Sequence, residues 1–378
     1  MKKQSDVVTS YQAYKNRVAR ETIPCYEPSI GKEELRLVTD VIKRNWLSEN
    51  KYTREFENRL AKICKRKYSV AFANATAALI SGMKSLGIKE GDEIIVPSFS
   101  HSADPNSISN SGAKPVFVDV DPVTMCLTRQ TIEKAITKKT KAILYVCAYG
   151  NVSDLDAVSD YAKSKKIFLI NDCAPALFGS YKNKPIASYG DFSVLSFFAD
   201  KTITTGEGGM LLSNNLALVN KVNTYKHDGR KERGVDTIQY KGYNFRITEL
   251  QTAVGVAQLK KAPYFVKRKK EILRSYQKKL SGISRVRLFK FNSNGAIVPH
   301  RVVIFVPNAK NLIAYLTSLG IGVRSMFMPM HSMPAYQTKG DFPNTQEIFK
   351  TGVCLPSAPS LTDKNIEFIC QSIKKFYQ

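Results

Sequence analysis

The chain has 378 residues, and 57 basic against 32 acidic side chains give it a formal net charge of +25 at pH 7. This length buries a large core without disulfides, and the seven scattered cysteines lack a C-x-x-C pair, which argues against a zinc site and favours a reducing compartment. No apolar run reaches the roughly eighteen residues of a membrane span, and the dispersed lysines without interleaved aromatic residues disfavour a nucleic-acid partner. We therefore expect a soluble cytoplasmic protein without a metal, whose basic surface attracts a polyanionic small substrate such as a sugar nucleotide.

Seven short β-branched runs, beginning near residue 67, predict strands. They lie at 68–73, 92–97, 114–120, 141–147, 166–172, 192–197 and 209–213, and the segments between them, such as 76–86 and 155–165, have a helical pattern. Apolar strands that alternate with helices are typical of a largely parallel sheet covered on both faces. The sequence therefore predicts an α/β fold.

The pattern changes after about residue 250. A long helix is predicted over 247–281, broken near Pro263, and a short α/β section follows it. We expect residues 1–22 to form an N-terminal extension, residues 23–250 a large domain, and residues 251–378 a linking helix with a smaller C-terminal domain.

The carboxyl ends of the predicted strands carry the polar residues of interest, because ligands of such sheets bind beyond these ends. The candidates are Asn74 and the segments 97–101, 147–150, 171–172 and 196–201. Lys201 stands out, since a lysine removed from water can form a Schiff base. Asp172, at another strand end, could hold a pyridinium nitrogen protonated, as a cofactor of the pyridoxal phosphate type requires.

Three further positions fit the same kind of cofactor. The hydroxyl of Ser196 and the strand-to-helix turn NATAAL (74–79) could bind a phosphate, and the ring of His101 could stack on a flat ring. Each of these residues also has an ordinary interpretation, as a solvated loop, capping, strand or surface residue. The GEGG sequence after Lys201 lacks the Lys-Ser/Thr ending of a P-loop, which disfavours an ATPase.

Five ordered segments carry a resemblance to a known family. They are SFFADKTITTGEGGM (196–210), GYNFRITELQTAVGVAQL (242–259), GAKPVFVDVDP (112–122), MPMHSMPAY (328–336) and LPSAPSLTD (355–363). From about Ile23 to its end, the chain resembles the DegT/StrS family of sugar aminotransferases, most closely its GDP-perosamine synthase type. The resemblance implies a fold-type I enzyme that depends on pyridoxal 5'-phosphate. Lys201 is retained, which argues against the related dehydratases, in which histidine replaces this lysine.

The resemblance also implies roles for individual residues. Lys201 matches the lysine that binds the cofactor aldehyde and later moves a proton, and Asp172 matches the partner of the pyridine nitrogen. His101 falls where the family has a ring stacked on the cofactor.

The cofactor phosphate would be held by Thr76, Ala77 and Ser196. Asn244 matches an asparagine that reaches the phosphate from a neighbouring subunit, which implies a homodimer with shared active sites. Candidates for substrate binding are Ser48, Arg230, Arg246, Arg324 and His331.

Four departures from the family pattern lie around this site. Ala75 replaces a glycine of the phosphate-binding turn, and Pro175 replaces a polar residue beside the cofactor ring. Cys147, with the alanine after it, replaces a polar residue and a leucine. Asp200 precedes the lysine where Asn, Thr or Gly is usual, and it could favour the ammonium form of Lys201.

The expected reaction is the amination of a nucleotide-linked 4-keto-6-deoxyhexose, with L-glutamate as the donor. Two alternatives stay open: a sugar 3-aminotransferase of the same family, and a non-catalytic protein that binds pyridoxal phosphate. The sequence leaves the nucleotide and the sugar epimer undetermined.

Overall fold

A seven-stranded sheet forms the centre of the protein. The computed structural model describes residues 22–232 and 234–378, so the expected N-terminal extension lies, apart from Thr22, outside the described residues. The strands are β1 (Tyr68–Phe72), β2 (Glu93–Pro97), β3 (Lys114–Val118), β4 (Thr140–Val146), β5 (Phe168–Asp172), β8 (Phe192–Ser196) and β9 (Gly209–Ser213), and a small hairpin, β6 (Ser180–Tyr181) and β7 (Lys184–Pro185), lies between β5 and β8. All seven strands predicted from the sequence are present, and their ends differ from the predictions by two residues at most.

The sheet has the order β1-β9-β8-β5-β4-β2-β3. Neighbours from β8 through β5, β4 and β2 to β3 are parallel, and β9 runs antiparallel to both β8 and β1. Six strands therefore point the same way, and the carboxyl ends of the parallel strands meet at one edge of the sheet. The α/β prediction with a mostly parallel sheet is confirmed.

Helices cover both faces of this sheet. They are α1 (Lys32–Lys43), α2 (Lys51–Ile63), α3 (Ala75–Ser85), α4 (Ala103–Asn110), α5 (Arg129–Glu133), α6 (Leu155–Lys165) and α7 (Leu216–Lys226). Side chains alternate between two cores along each strand: Ile95 of β2 packs into one core, and Ile94 and Val96 pack into the other. Because both faces are buried, each such side chain stabilises the fold by about 1.5–3 kcal/mol.

The long helix α8 (Glu249–Leu280) is continuous through Pro263, so the predicted break is wrong. Proline removes one intrahelical hydrogen bond, but α8 packs against α1 and α2 and buries Ala257, Ala262 and Phe265 around the proline. Tertiary packing therefore outweighs the local preference. The domain boundary expected at residue 250 falls at the start of α8 and stays a prediction.

A second, four-stranded sheet follows α8. It contains β10 (Arg287–Leu288), β11 (Val302–Phe305), β12 (Arg324–Ser325) and β13 (Gly352–Leu355) in the antiparallel order β10-β11-β13-β12, with helices α9 (Ala309–Ser318), α10 (Pro343–Thr351) and α11 (Asp363–Tyr377). Ile23 pairs with Ile321 and joins the core of this sheet. Within residues 22–232 and 234–378, none of the helices has the length and hydrophobicity needed to cross a membrane.

Candidate active site

A cavity of about 650 Å³ opens where β4, β5 and β8 end, and residues of the second sheet close its other side. The last residues of these three strands, Val146, Asp172 and Ser196, all line it. The structure brings six of the residues selected from the sequence to this one cavity: Thr76, His101, Asp172, Ser196, Lys201 and Arg324.

Lys201 lies in the loop between β8 and β9. Its backbone N–H donates to the carbonyl of Phe198 at 3.0 Å, and its side chain is only 18% exposed. The glycines after it let this loop approach α3: a Cβ atom on Gly209 would lie 2.5 Å from the carbonyl oxygen of Asn74. β9, which follows the lysine loop, therefore begins directly against the start of α3, and a larger residue than glycine at position 209 would push the two apart.

The N-terminus of α3 points into the cavity with unsatisfied amides. The side chain of Asn74 caps the helix by accepting the N–H of Ala77 at 2.9 Å, so this amide already has a partner. The N–H groups of Ala75 and Thr76 belong to the first helical positions, which have no intrahelical acceptor, and they are suited to an anion such as a phosphate. Ala75 is helical and absent from the positive-φ residues of the described chain, so the missing glycine imposes no strain here.

The carboxyl group of Asp172 lies at the end of β5. One of its oxygens accepts the N–H of Ala174 at 2.8 Å, and the residue is 7% exposed. Burial raises the pKa of Asp172, although the amide of Ala174 and the charge of Lys201 oppose this shift. Asp104, which the sequence analysis did not select, is fully buried, and its carboxyl group contacts that of Asp172.

His101 lies on the cavity wall, with its Nδ1 atom accepting the N–H of Ala103 at 3.1 Å. Burial of the ring and the charge of Lys201 lower the pKa of His101. The residue keeps solvent access through the cavity, while the surrounding protein favours a neutral ring. An uncharged imidazole with its Nδ1 lone pair occupied presents a flat face to a ligand.

Asp200 binds the guanidinium of Arg301 with its Oδ2 atom at 2.6 Å, and its Oδ1 atom lies 3.4 Å from the Nζ atom of Lys201. Burial alone would raise the pKa of Asp200, but His300, Lys201 and Arg301 together hold it well below its usual range. Burial, with the charge of Lys201, lowers the pKa of His300 to about 3. Asp200 is therefore shared between the lysine and a buried arginine that the sequence analysis missed.

All four departures form part of the cavity wall or lie behind it: Ala75, Pro175 and Asp200 line the cavity, and Cys147 lies behind it. Pro175 lines the cavity directly. The thiol of Cys147 is buried behind it, 3.4 Å from the Oδ1 atom of Asn171 and 3.9 Å from the thiol of Cys173. This part of the wall offers few hydrogen bonds to a ligand.

Three predicted residues lie away from the cavity on a neighbouring surface. Ser48 forms a backbone bridge with the residue that precedes α8, and Asn244 forms one with His227. The guanidinium of Arg246 donates to Asp228 at 2.7 Å. Within one chain, these residues do not reach the cavity that holds Lys201.

His331 and Arg230 are also absent from the cavity lining. The Nδ1 atom of His331 lies 2.6 Å from the hydroxyl of Ser98, and its ring stacks on Phe342 with a centroid distance of 4.0 Å. Arg230 lies 3.7 Å from the carboxylate of Asp236. Their proposed contacts with substrate stay predictions.

The donor set of the cavity fits pyridoxal phosphate. An amine, a carboxylate, a flat imidazole and a helix N-terminus beside the hydroxyl of Ser196 match the aldehyde, ring nitrogen, ring face and phosphate of this cofactor. Among the described residues, no group of three or more His, Cys, Asp or Glu side chains could hold a metal ion.

Comparisons with known proteins agree with this geometry. Residues 28–374 match the DegT/DnrJ/EryC1/StrS aminotransferase family. The GDP-perosamine synthase of Escherichia coli O157:H7 is 37% identical over 94% of this chain and 98% of its own length, and the dTDP-4-dehydro-2,3,6-trideoxy-D-glucose 4-aminotransferase of Saccharopolyspora spinosa is 30% identical over 93% and 96%. The crystal structure of the aminotransferase TlmJ from Streptoalloteichus hindustanus superposes with a TM-score of 0.90 at 26% identity, over 94% of this chain and 98% of TlmJ. The chain is therefore a member of the DegT/DnrJ/EryC1/StrS family and a pyridoxal-phosphate-dependent aminotransferase.

Proposed function

We propose that the enzyme transfers the amino group of L-glutamate to carbon 4 of a nucleotide-linked 4-keto-6-deoxyhexose. The product would be a 4-amino-4,6-dideoxy sugar of the perosamine or viosamine type, used in surface polysaccharides. The observation that carries this proposal is the convergence of Lys201, Asp172 and the N-terminus of α3 on one cavity. The names of the relatives support the choice of a 4-keto sugar.

The residues of the cavity have separate tasks in this proposal. Bound pyridoxal phosphate supplies an aldehyde and an electron-withdrawing ring. The amine of Lys201 would hold the aldehyde and, when free, would carry a proton to and from the reacting carbon. Asp172 would pair with the ring nitrogen, Ser196 and the amides at Thr76 would hold the phosphate, and His101 would cover one face of the ring.

Positive charge at the cavity suits the two anionic substrates. Arg301 is buried and forms an ion pair with Asp200. Arg324 lines the cavity, and its Nη1 atom donates to the carbonyl of Val323 at 3.0 Å. We assign Arg324 to the carboxylate of glutamate or the diphosphate of the nucleotide, since arginine recognises both groups well.

Ser48, Asn244, Arg246 and His331 act, in our proposal, only after a second subunit completes the site. A homodimer is supported by an apolar surface beside Ser48, because Leu35, Ile42, Trp46 and Leu47 are each more than half exposed. Monomeric proteins rarely expose several large apolar side chains together.

Subunit complementation tests the shared site. A heterodimer of a Lys201→Ala chain with an Asn244→Ala chain would contain one intact site, formed by Lys201 of one chain and Asn244 of the other. Mixing the two inactive variants under conditions that exchange subunits should therefore restore activity. A mixture that exchanges subunits but stays inactive would show that Asn244 does not act across the interface.

A substrate panel tests the reaction itself. GDP-, UDP- and TDP-linked 4-keto-6-deoxy sugars, and matched 3-keto sugars, would be incubated with the holoenzyme and L-glutamate. We expect amination of a 4-keto sugar, and none with Lys201→Ala. Amination of 3-keto sugars alone would establish the 3-aminotransferase, and a cofactor spectrum that glutamate leaves unchanged would establish the non-catalytic alternative.

We also propose that the enzyme works in the cytoplasm. All seven cysteines are free and buried, although Cys147 and Cys173 lie close enough to react in an oxidising compartment. Fractionation of cells that express the protein would test this location.

A further inference from the structure

Asp104 is a buried carboxyl group without a hydrogen-bond donor. It lies in the first turn of α4 and is 1% exposed. Neither of its oxygens accepts a hydrogen bond of normal geometry in the described part of the chain, so the amides at the start of α4 do not compensate it; the hydroxyl of Ser100 lies only close enough to oppose the rise of its pKa. A buried carboxylate in this situation is strongly unfavourable, and the group avoids the cost by taking up a proton.

The neighbour that Asp104 faces is the carboxyl group of Asp172. Two adjacent buried carboxyl groups cannot both be ionised without a large repulsion, so the pair holds one proton over a wide pH range. As two carboxylates, neither group could donate a hydrogen bond to the other. With one proton, the protonated group becomes the donor that the unsatisfied oxygens lack.

The surroundings decide which of the two carries the proton. Asp172 accepts the amide of Ala174, and this hydrogen bond and the charge of Lys201 both lower its pKa against the effect of burial. Asp104 has no amide donor, and burial and the charge of Asp172 raise its pKa well above the usual range, although the charge of Lys201 and the hydroxyl of Ser100 oppose this shift. The proton therefore belongs on Asp104.

We propose that Asp104 is a positioning residue, which stays protonated and donates its O–H to Asp172, so that Asp172 remains an oriented anion facing the ring nitrogen of the cofactor. The inference rests on the proposed role of Asp172. Asp104 itself touches neither cofactor nor substrate in this proposal, and its proton does not leave it.

Two substitutions distinguish the effect of the proton on Asp104 from the effect of the size and shape of its side chain. Asp104→Asn keeps the shape and can donate an N–H to Asp172, although it cannot ionise. Asp104→Ala removes the donor. Ser111→Ala is the matched control, because Ser111 is a buried polar residue that follows the same helix and donates to the carbonyl of Ser107 at 2.7 Å, away from the carboxyl pair.

The first measurement is infrared spectroscopy of the apoprotein and the holoenzyme at neutral pH. We expect the C=O stretch of a protonated carboxyl group in the wild type and in Ser111→Ala, and its loss in Asp104→Asn. The absence of this band from the wild type, or its persistence in Asp104→Asn, would overturn the inference. This result does not depend on turnover, so it stays distinguishable from a failure of the proposed reaction in the substrate panel.

The second measurement is the affinity for pyridoxamine 5'-phosphate, which lacks the aldehyde and so reports the ring contacts without the bond to Lys201. Because a hydrogen bond to a charged group is involved, we expect Asp104→Ala to bind about tenfold more weakly than the wild type. Asp104→Asn and Ser111→Ala should bind within about threefold of it. Equal affinity of Asp104→Ala and the wild type would show that Asp104 does not support Asp172, and an equal loss in Asp104→Asn would show that the amide cannot replace the acid, against the donor role.

Discussion

Glu49 offers the sharpest test of how a buried charge supports the site. Its carboxylate binds the amine of Lys226 at 2.7 Å and the ring of His227 at 3.0 Å, and the side chains of Glu49 and Lys226 are 6% and 3% exposed. His227 pairs through its backbone with Asn244. Glu49 therefore holds the segment that carries Asn244, which acts across the subunit interface of the proposed dimer.

The size of the effect follows from the pKa of Glu49. Burial would raise this pKa, but His227 and Lys226 lower it from 4.5 to about 2. A shift of this size corresponds to about 3 kcal/mol of stability at neutral pH, and removal of one partner of a buried pair costs a similar amount. With an unfolding entropy of roughly 2.1 cal/mol/K per residue, Glu49→Gln should lower the melting temperature by about 4 °C.

The pH dependence has a definite sign. A depressed carboxyl pKa stabilises the fold above the unfolded value, here about 4.5, and this contribution is lost as the pH falls towards the folded value of about 2. The difference between the wild type and Glu49→Gln, measured by differential scanning calorimetry, should therefore be constant near neutral pH and shrink below about pH 4.5.

Glu33→Gln is the matched control for this experiment. Hydrogen bonds from Arg36 and Lys260 lower the pKa of Glu33 to about 2 as well, but its ion pairs lie at the surface, where solvent screens them. We expect no measurable change in its melting temperature. If Glu49→Gln had the same melting temperature as the wild type, or if Glu49→Gln and Glu33→Gln lost the same stability, the argument from burial would be refuted.

Four further variants test other parts of the structure. Asp200→Asn should lower the melting temperature by about 4 °C, because it leaves a buried guanidinium without its partner; an unchanged melting curve would contradict this. Gly209→Ala should weaken cofactor binding and cost about 1–3 kcal/mol, since its Cβ would overlap the backbone of Asn74; normal affinity would show that the loop relaxes. Pro263→Ala should raise the melting temperature by a few degrees, because it restores a helical hydrogen bond, and a decrease would refute that account. Burial lowers the pKa of Lys269 to about 7, so Lys269→Met should be more stable than the wild type at pH 6, with an advantage that shrinks as the pH rises towards about 10; a constant difference would contradict the shift.

The sheet could be predicted from the sequence because its strands are buried on both faces. Such strands consist of continuous apolar runs, and the first polar residue after each run marks the end of the strand. The topology then places the polar strand ends at one edge, which is why Asp172, Ser196 and Lys201 could be selected before their distances were known.

Local rules failed where packing or a competing hydrogen bond decided the result. Proline usually ends a helix, but α8 is continuous through Pro263 because apolar side chains before and after the proline are buried. The family resemblance assigns Ala77 to the cofactor phosphate, and this stays a prediction; in the structure the side chain of Asn74 accepts its amide. The amides at Ala75 and Thr76 are better placed for an anion.

The charges behind Lys201 could not be predicted, because they come from distant parts of the chain. Asp200 follows β8, whereas its partner Arg301 immediately precedes β11 of the second sheet. Asp104 lies in α4 and contacts Asp172 at the end of β5. In sequence, Arg301 and Asp104 look like ordinary surface charges. Once buried together, their protonation states depend on one another; in our proposal, Arg301 helps to keep Asp200 anionic and the protonated Asp104 helps to keep Asp172 anionic.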